Sequence, residues 1–528
     1  MAAIHTESAA IFGRKNVNVA EQKVVFVDTK PTNPVSANTV MEFTIPGNTN
    51  QYVSLKDTYI HAVVEFRLTK NGRPWYPMKP VAPVGYQGRY ADLEDIPIPH
   101  RTYNRGRRNY PDLRGLTPER QETITKTYDA EALVWKNLSD GLRANPNYLQ
   151  SVYPIDAIFH TMWNGMDVSM NQQLVSTTNG MYSYKAYIES VLNNSGATKK
   201  FQLGAIGFTG NENGIEDRDD TDVESNPFLV ANCVKERKTL LPLNTRHNLF
   251  GYPASDLWGI NAAIVHGVEI SIKLYPNKDA FRLMTYPKGV EAELILHDIT
   301  LKVCKKTMDP KIVIAHNHAM EKVNDATYPY IRSEVRAFNV PKGSLSATIE
   351  NPYQSNIPVR FIMAMVRADA RNGLFTANPI NFQHFNIATA GFYINGEPTP
   401  KRPYVLNPKN NQYLEPMIEL YSILGKMGED KDIGLSREEF LEGCFLIPFD
   451  VQPTASGKLN YLAKRTGGHC KLELTFHEEL PTNVSIITYA IFPAMLDIDL
   501  ARNVKVIELE RPFRVYGEKA TTSAQSAN

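Results

Sequence analysis

Two histidines stand two residues apart in Ala315-His316-Asn317-His318-Ala319-Met320, past the middle of the chain. Such a pair is the first place to look for a bound metal. On a helix, positions i and i+2 point to different sides, and no carboxylate or cysteine follows at zinc spacing. The stretch His477-Glu478-Glu479-Leu480 lacks the second histidine of a zinc-protease helix, and Pro481 would interrupt that helix. The acidic run from Glu216 to Glu224 lacks the glycine and the closing glutamate of a calcium loop. Ser456-Gly457-Lys458-Leu459 is missing the upstream glycine of a phosphate loop, and no Gly-x-Ser-x-Gly stretch occurs. Cys233, Cys304, Cys444 and Cys470 form no C-x-x-C pair, so neither a disulfide scaffold nor structural zinc is supported. The expectation is a protein without metal, cofactor or catalytic set, and so not an enzyme.

One stretch is chemically denser. Arg101, Arg105, Arg107, Arg108 and Arg114 interleave with Tyr103 and Tyr110, a pattern that can hold single-stranded nucleic acid. Asp92, Glu94, Asp95 and Asp112 lie among them and cancel much of the charge. A protein-contact loop or a solvated surface is the simpler reading, and no specific nucleic-acid binding is expected.

The whole chain of 528 residues carries a formal net charge of +1, with 42% hydrophobic and 21% charged residues. That is an ordinary globular composition, long enough for roughly two to four domains. Near-neutral charge removes bulk attraction to nucleic acid or anionic membrane and makes packing of many copies electrostatically cheap. The 34 prolines imply many loops and strand ends. The first residues lack a basic region followed by an apolar core, and no run approaches the ~18 apolar residues of a membrane span. Without a secretory signal, the N-x-[ST] triplets at Asn137, Asn193 and Asn483 carry little weight. A soluble product assembled inside a cell, with reduced thiols, is expected.

Period-two alternation dominates. Ile60, Ala62, Val64, Phe66 and Leu68 alternate with His61, Val63, Glu65, Arg67 and Thr69; Val268, Ile270, Ile272 and Leu274 repeat the pattern, as do Leu472, Leu474 and Phe476. Such strands bury one face and wet the other, which predicts antiparallel sheets packed in pairs. Val484 to Pro493 is apolar on both faces and reads as a central strand. Helical spacing appears at 182–192, at 413–424, where Pro416 is expected to break the helix early, and at 312–323. No strand–helix–strand alternation predicts a parallel sheet.

The chain also repeats itself. Phe43-Thr-Ile-Pro46-Gly47 aligns with Phe338-Asn-Val-Pro341-Lys342-Gly343, and Pro154, Phe159 and His160 align with Pro379, His384 and Phe385. Asn164-Gly165 and Asn395-Gly396 supply a hairpin signal in each half. The offset falls from 295 (338 minus 43) to 224 (384 minus 160), which places an insertion of about 70 residues between Thr69 and Ser151. The reading is a duplicated all-β domain of roughly eight strands in two facing sheets.

The stretches 340–366, 378–400, 480–504 and 328–338, including Asn351 and Pro352, resemble the major capsid protein of Polinton/Maverick elements and the related adintoviruses. Residues 43–66 and 153–192 resemble the first half of that family. The resemblance implies two tandem eight-stranded antiparallel jelly-roll sandwiches with long loops and a few short helices. The domains would be an N-terminal arm (1–35), a first jelly roll (36–308, with the inserted loop at ~70–150), a linker helix (309–328), a second jelly roll (329–512) and a C-terminal tail (513–528). It further implies homotrimers that tile the icosahedral shell of a virion, in contact with penton and minor capsid proteins. Phe43, Pro46, Gly47, Asn164, Gly165, Phe338, Pro341, Lys342, Gly343, Asn351, Pro352, Asn395 and Gly396 are its fold-motif positions. A tandem β-sandwich module that binds carbohydrate or protein, and a β-sandwich hydrolase, share the strand pattern.

Overall fold

The computed structural model describes residues 21–70, 73–74, 152–210, 237, 240–285, 291–322, 325–451 and 467–508, except positions 49, 355, 400–401 and 430–431. The Arg-rich and acidic runs, Asn137, Cys233, Ser456 and the tail lie outside these residues.

Among the described residues, eight strands frame the two main sheets of the first half: β1 (Glu21–Thr29), β2 (Met41–Ile45), β3 (Gln51–Lys70), β4 (Trp163–Met170), β5 (Gln173–Thr177), β6 (Arg246–Gly251), β7 (Ile270–Pro276) and β8 (Glu291–Met308); Arg73–Pro74 adds to β3, and Val152–Pro154 pairs with Leu283–Thr285. Antiparallel pairing orders them β1-β8-β3-β6 in one sheet and β2-β7-β4-β5 in the other. The second half contributes β9 (Ala326–Val340), β10 (Ser346–Glu350), β11 (Arg360–Arg367), β12 (Ile387–Ile394), β13 (Tyr404–Val405), β14 (Ile447–Asp450), β15 (Cys470–Phe476) and β16 (Val484–Ile498). Its sheets run β9-β16-β11-β14 and β10-β15-β12-β13. Numbered from one to eight within its own half, each sandwich reads 1-8-3-6 over 2-7-4-5. The duplication is therefore a repeat of topology over these eight strands, to which the second half adds the short strands Glu397–Pro398 and Val504–Glu508.

The alternating residues do what their period requires. Ile60, Ala62, Val64 and Phe66 are buried, as are Ile270, Ile272, Leu274, Leu472, Leu474 and Phe476. In the second sandwich Phe361 of β11 stacks on Phe392 of β12, ring centroids 4.6 Å apart, and joins the two sheets. β16 is central in its sheet, and from Val484 to Ala494 both of its faces are buried. Glu65 departs from the expected wet face: it is buried, accepting from Arg67 Nε at 2.6 Å and lying 2.6 Å from His297 Nε2.

Three sequence expectations change. Phe43 lies on β2, whereas Phe338 lies on β9, the first strand of its half, so the two similar stretches are not topological equivalents. Strand ends that must turn sharply favour the same Pro-Gly chemistry, and that produced the likeness. Second, β1 belongs to the first sheet and not to an N-terminal arm, pairing with β8 from Thr29–Leu301 to Glu21–Met308. Its alternation was invisible because Val24, Phe26 and Val27 on both faces are exposed. Third, Asn164-Gly165 sits inside β4. The β4–β5 turn is Asn171-Gln172, with φ of 46° and 68°; in the second half Asn395-Gly396, with φ of 52° and 89°, likewise follows the fourth strand and joins β12 to the two-residue strand Glu397–Pro398.

At Asn395-Gly396 both positive φ values match the type I′ geometry of a two-residue hairpin. A Cβ on Gly396 would meet nothing, so only backbone strain opposes a side chain there. Gly396→Val should cost ~1–3 kcal/mol, and an unchanged melting temperature would contradict this turn.

Helix α1 (Tyr182–Asn193) follows β5, α2 (Pro310–Lys322) joins the halves, and α3 (Leu414–Ile423) follows β13. Pro416 is the third residue of α3, in the first turn, where a backbone N–H has no intrahelical partner. It therefore does not break the helix. Between β3 and β4 lie 92 residues (71–162), against 19 (368–386) between β11 and β12, a difference of 73.

Candidate functional site

The most elaborate polar arrangement lies where the halves meet. Helix α1 is buried almost all round: ten of its twelve residues are buried, including Tyr182, Tyr184, Tyr187 and Ile188. Lys185 is among them. Its Nζ reaches Glu189 Oε1 at 2.6 Å and Asp256 Oδ1 at 2.7 Å, and donates to Ser333 Oγ at 2.6 Å. Ser333 Oγ donates to Asp256 Oδ1 at 2.7 Å, and the Tyr489 hydroxyl donates to Glu189 Oε1 at 3.2 Å. Lys185, Glu189 and Asp256 belong to the first half; Ser333 on β9 and Tyr489 on β16 belong to the second. The side chains of Lys185 and Asp256 are only 4% and 7% exposed. Burial by itself lowers the Lys185 pKa, but the carboxylates of Asp256 and Glu189 outweigh it and hold the ammonium above its ordinary value. Burial raises Glu189, and Lys185 draws it back in part.

Tyr184 donates to Pro379 O at 2.9 Å and Tyr187 packs 5.9 Å from Phe382, so α1 is also an apolar wedge between the sandwiches. Asn171 Nδ2 donates to Arg502 O at 2.7 Å, a second tie between the halves. A cavity of about 810 Å³ opens at one flank of this junction, lined by Tyr187, Val191, Lys199, Leu435 and Cys444 among others. Lys199 Nζ donates to Ile433 O at 2.7 Å, and burial pushes the Cys444 thiol up to about 12. A thiol held protonated is a poor nucleophile. This junction is built to hold two bodies together.

The histidine pair separates as helical spacing requires. His316 Nδ1 lies 3.0 Å from the Tyr52 hydroxyl, while His318 Nδ1 lies 3.1 Å from Glu321 Oε2. Among the described residues no group of three or more His, Cys, Asp or Glu is placed to hold a metal. His477 follows β15, its Nε2 2.8 Å from Leu406 O, and Glu478 accepts from Lys409 Nζ at 2.6 Å. Cys304, Cys444 and Cys470 are buried free thiols.

The motif positions sit at strand ends and turns. Phe43 is fully buried, and Pro46 follows β2. A Cβ on Gly47 would lie 2.8 Å from the Gly267 carbonyl carbon, so a close backbone approach requires glycine there. Phe338 is half-buried near the end of β9, and Pro341 follows that strand. Lys342 N donates to Asn483 Oδ1 at 2.9 Å, and Gly343 takes φ 83° while its N–H donates to Leu480 O. Asn351, at φ 47°, donates its N–H to Cys470 O, with Pro352 buried beside it. Asn164 and Gly165 share β4, and Asn395 and Gly396 form the turn already described. None of these residues meets the Lys185 network, which sequence reasoning missed. The available signal was Lys185 and Glu189 four apart in a helix otherwise lined with tyrosines.

Two groups of apolar side chains are exposed among the described residues. On the sheet β1-β8-β3-β6, Phe26, Phe250 and Tyr252 are 51%, 43% and 59% exposed, and Tyr59 lies within ring-contact distance of all three. On α3, Leu414 and Ile418 are 38% and 47% exposed.

No family model matches the chain. An uncharacterised protein of Caenorhabditis elegans is 25% identical over 358 residues, 66% of this chain and 80% of that protein. A chain of the Sputnik virophage cryo-EM structure overlays with a TM-score of 0.54 at 11% identity, covering 96% of this chain and 93% of that one. The Faustovirus major capsid protein overlays at a TM-score of 0.47 and 9% identity, with 92% of each chain covered. Two sandwiches of one strand order, matched over almost their whole length by the Sputnik virophage chain, make this protein a double jelly roll.

Proposed function

We propose that this chain is a major capsid protein, which assembles as homotrimers of pseudo-hexagonal outline and tiles the icosahedral shell of a double-stranded DNA virus or virus-like element. The carrying observation is the repeated topology within one chain. Three copies of a two-sandwich subunit present six similar corners, the shape that fills a flat facet. The buried network at Lys185 fits this use, because it fixes the angle between two corners. The likeness to a chain of a virophage particle supports the viral setting. A Polinton or adintovirus-like source is the finer reading, supported by the sequence resemblance and by a relative in an animal. Its partners are then other copies of itself, together with penton and minor capsid proteins, and its place is the virion capsid. The mechanism is assembly, with rigid sandwiches as walls and loops as contacts.

Light scattering at low micromolar concentration should report three chains per particle. Apolar and hydrogen-bonded packing should hold the trimer through moderate salt and reducing agent, since Cys304, Cys444 and Cys470 are buried free thiols and the formal net charge is only +1. A monomer with or without reductant would overturn the proposal and favour a tandem binding module.

The insertion between β3 and β4 belongs to assembly on this reading. The second half makes the same connection with 19 residues (368–386). Replacing residues 75–145 by a short Gly/Ser linker should leave a cooperatively melting protein and weaken contacts between particles. Insoluble product on expression would instead make the insertion part of the core.

A further inference from the structure

The junction between the halves has a counterpart that the chain leaves open. In the second half, Ser333 and Tyr489 lie on the face of β9 and β16 turned away from the core, since the neighbouring Thr488 and Phe492 contact the core residue Tyr353. That outer face is covered by α1, the helix that follows the fifth strand of the first half. The same outer face in the first half carries Tyr59 and Phe250, while Ile60 and Leu301 fill the core behind it. Nothing among the described residues covers its aromatic patch. The helix that follows the fifth strand of the second half is α3, and Leu414 and Ile418 on its flank are also uncovered.

We infer that α3 of one copy seats on the Phe26–Tyr59–Phe250–Tyr252 face of the next copy, repeating between chains the contact that α1 makes within the chain. The inference rests on the homotrimer reading above. The occupant is a second copy because the covered and uncovered faces are the outer sides of the same 1-8-3-6 sheet in the two halves, and the covering and uncovered helices occupy the same connection. Such a contact is heterologous, head to tail, and closes into a ring when the rotation per copy allows it. Three internal and three external junctions then alternate around six sandwiches. Aromatic residues on one side and a helix with aliphatic residues on the other suit the apolar centre of such an interface.

Ile418→Asp and Phe250→Asp, both at exposed positions, should each lower the particle mass at low micromolar concentration to one third of the parent's, with little change in melting temperature. Co-expressed copies carrying Tyr252→Cys and Ile418→Cys should give a mixed dimer with a short bis-maleimide, absent when either variant is treated alone. Intact trimers in both aspartate variants, together with no mixed dimer, would overturn this surface and leave the trimer standing. A monomeric parent would overturn the trimer and this inference with it.

Discussion

Lys185→Ala is expected to destabilise the protein by ~3–5 kcal/mol, the range for breaking a buried ion pair by removing one partner. The loss is large because of what remains. Glu189 and Asp256 would face each other across the empty ammonium position, with Ser333 and Tyr489 still oriented toward them. With the ammonium gone, burial acts on Glu189 without the cation that draws its pKa back, so its folded-state value would rise further above the unfolded one. The added destabilisation is then greatest above the ordinary carboxylate range and eases as pH falls through that raised value. Urea unfolding of parent and variant at neutral and mildly acidic pH would read both effects. A difference under ~1 kcal/mol, flat with pH, would show that the network contributes little to the junction.

His160 is expected to make the protein sensitive to acid. It lies on the short helix Ile158–Thr161, fully buried, and burial pushes its pKa down to about 3. The hydrogen bonding agrees. Tyr182 Oη accepts the Ala254 N–H at 3.1 Å and so turns its own proton toward His160 Nδ1, 3.1 Å away. A proton on Nδ1 would set donor against donor. Because the folded pKa is depressed, the contribution is fully present above the unfolded value of ~6.5 and is lost as pH falls toward ~3. Each pH unit in that window should remove about 1.4 kcal/mol. Between about pH 7 and pH 4.5, the parent should lose ~2–3 kcal/mol more than His160→Gln, which cannot titrate. Parallel losses in the two proteins would place the acid sensitivity elsewhere.

The sandwich strands were legible because a half-buried strand writes its period into the sequence. Ile270, Ile272 and Leu274 alternate in the sequence and are buried in the fold, and β16, apolar on both faces, is central in its sheet. What failed was equivalence between the halves. The offset of 224 that joins His160 to His384 carries Asn395 back to Asn171, the true turn, whereas Asn164-Gly165 has the stronger turn composition but sits in a strand. Asn171-Gln172 holds two positive φ values without glycine, because asparagine tolerates that region and the flanking strands impose the rest. β1 was hidden for the opposite reason: an edge strand exposed on both faces has no periodicity to show. The junction was hardest to see, since a lysine in a sequence is ordinarily solvated. Only the placement of α1 against β9 and β16 encloses Lys185.

Electron micrographs of the purified protein test the capsid account most directly, because they report copy number and outline together. Class averages should show single particles of three-fold symmetry with six corners around the rim, each corner one sandwich. Averages dominated by a two-lobed particle of one chain, under conditions where the protein is folded, would contradict it.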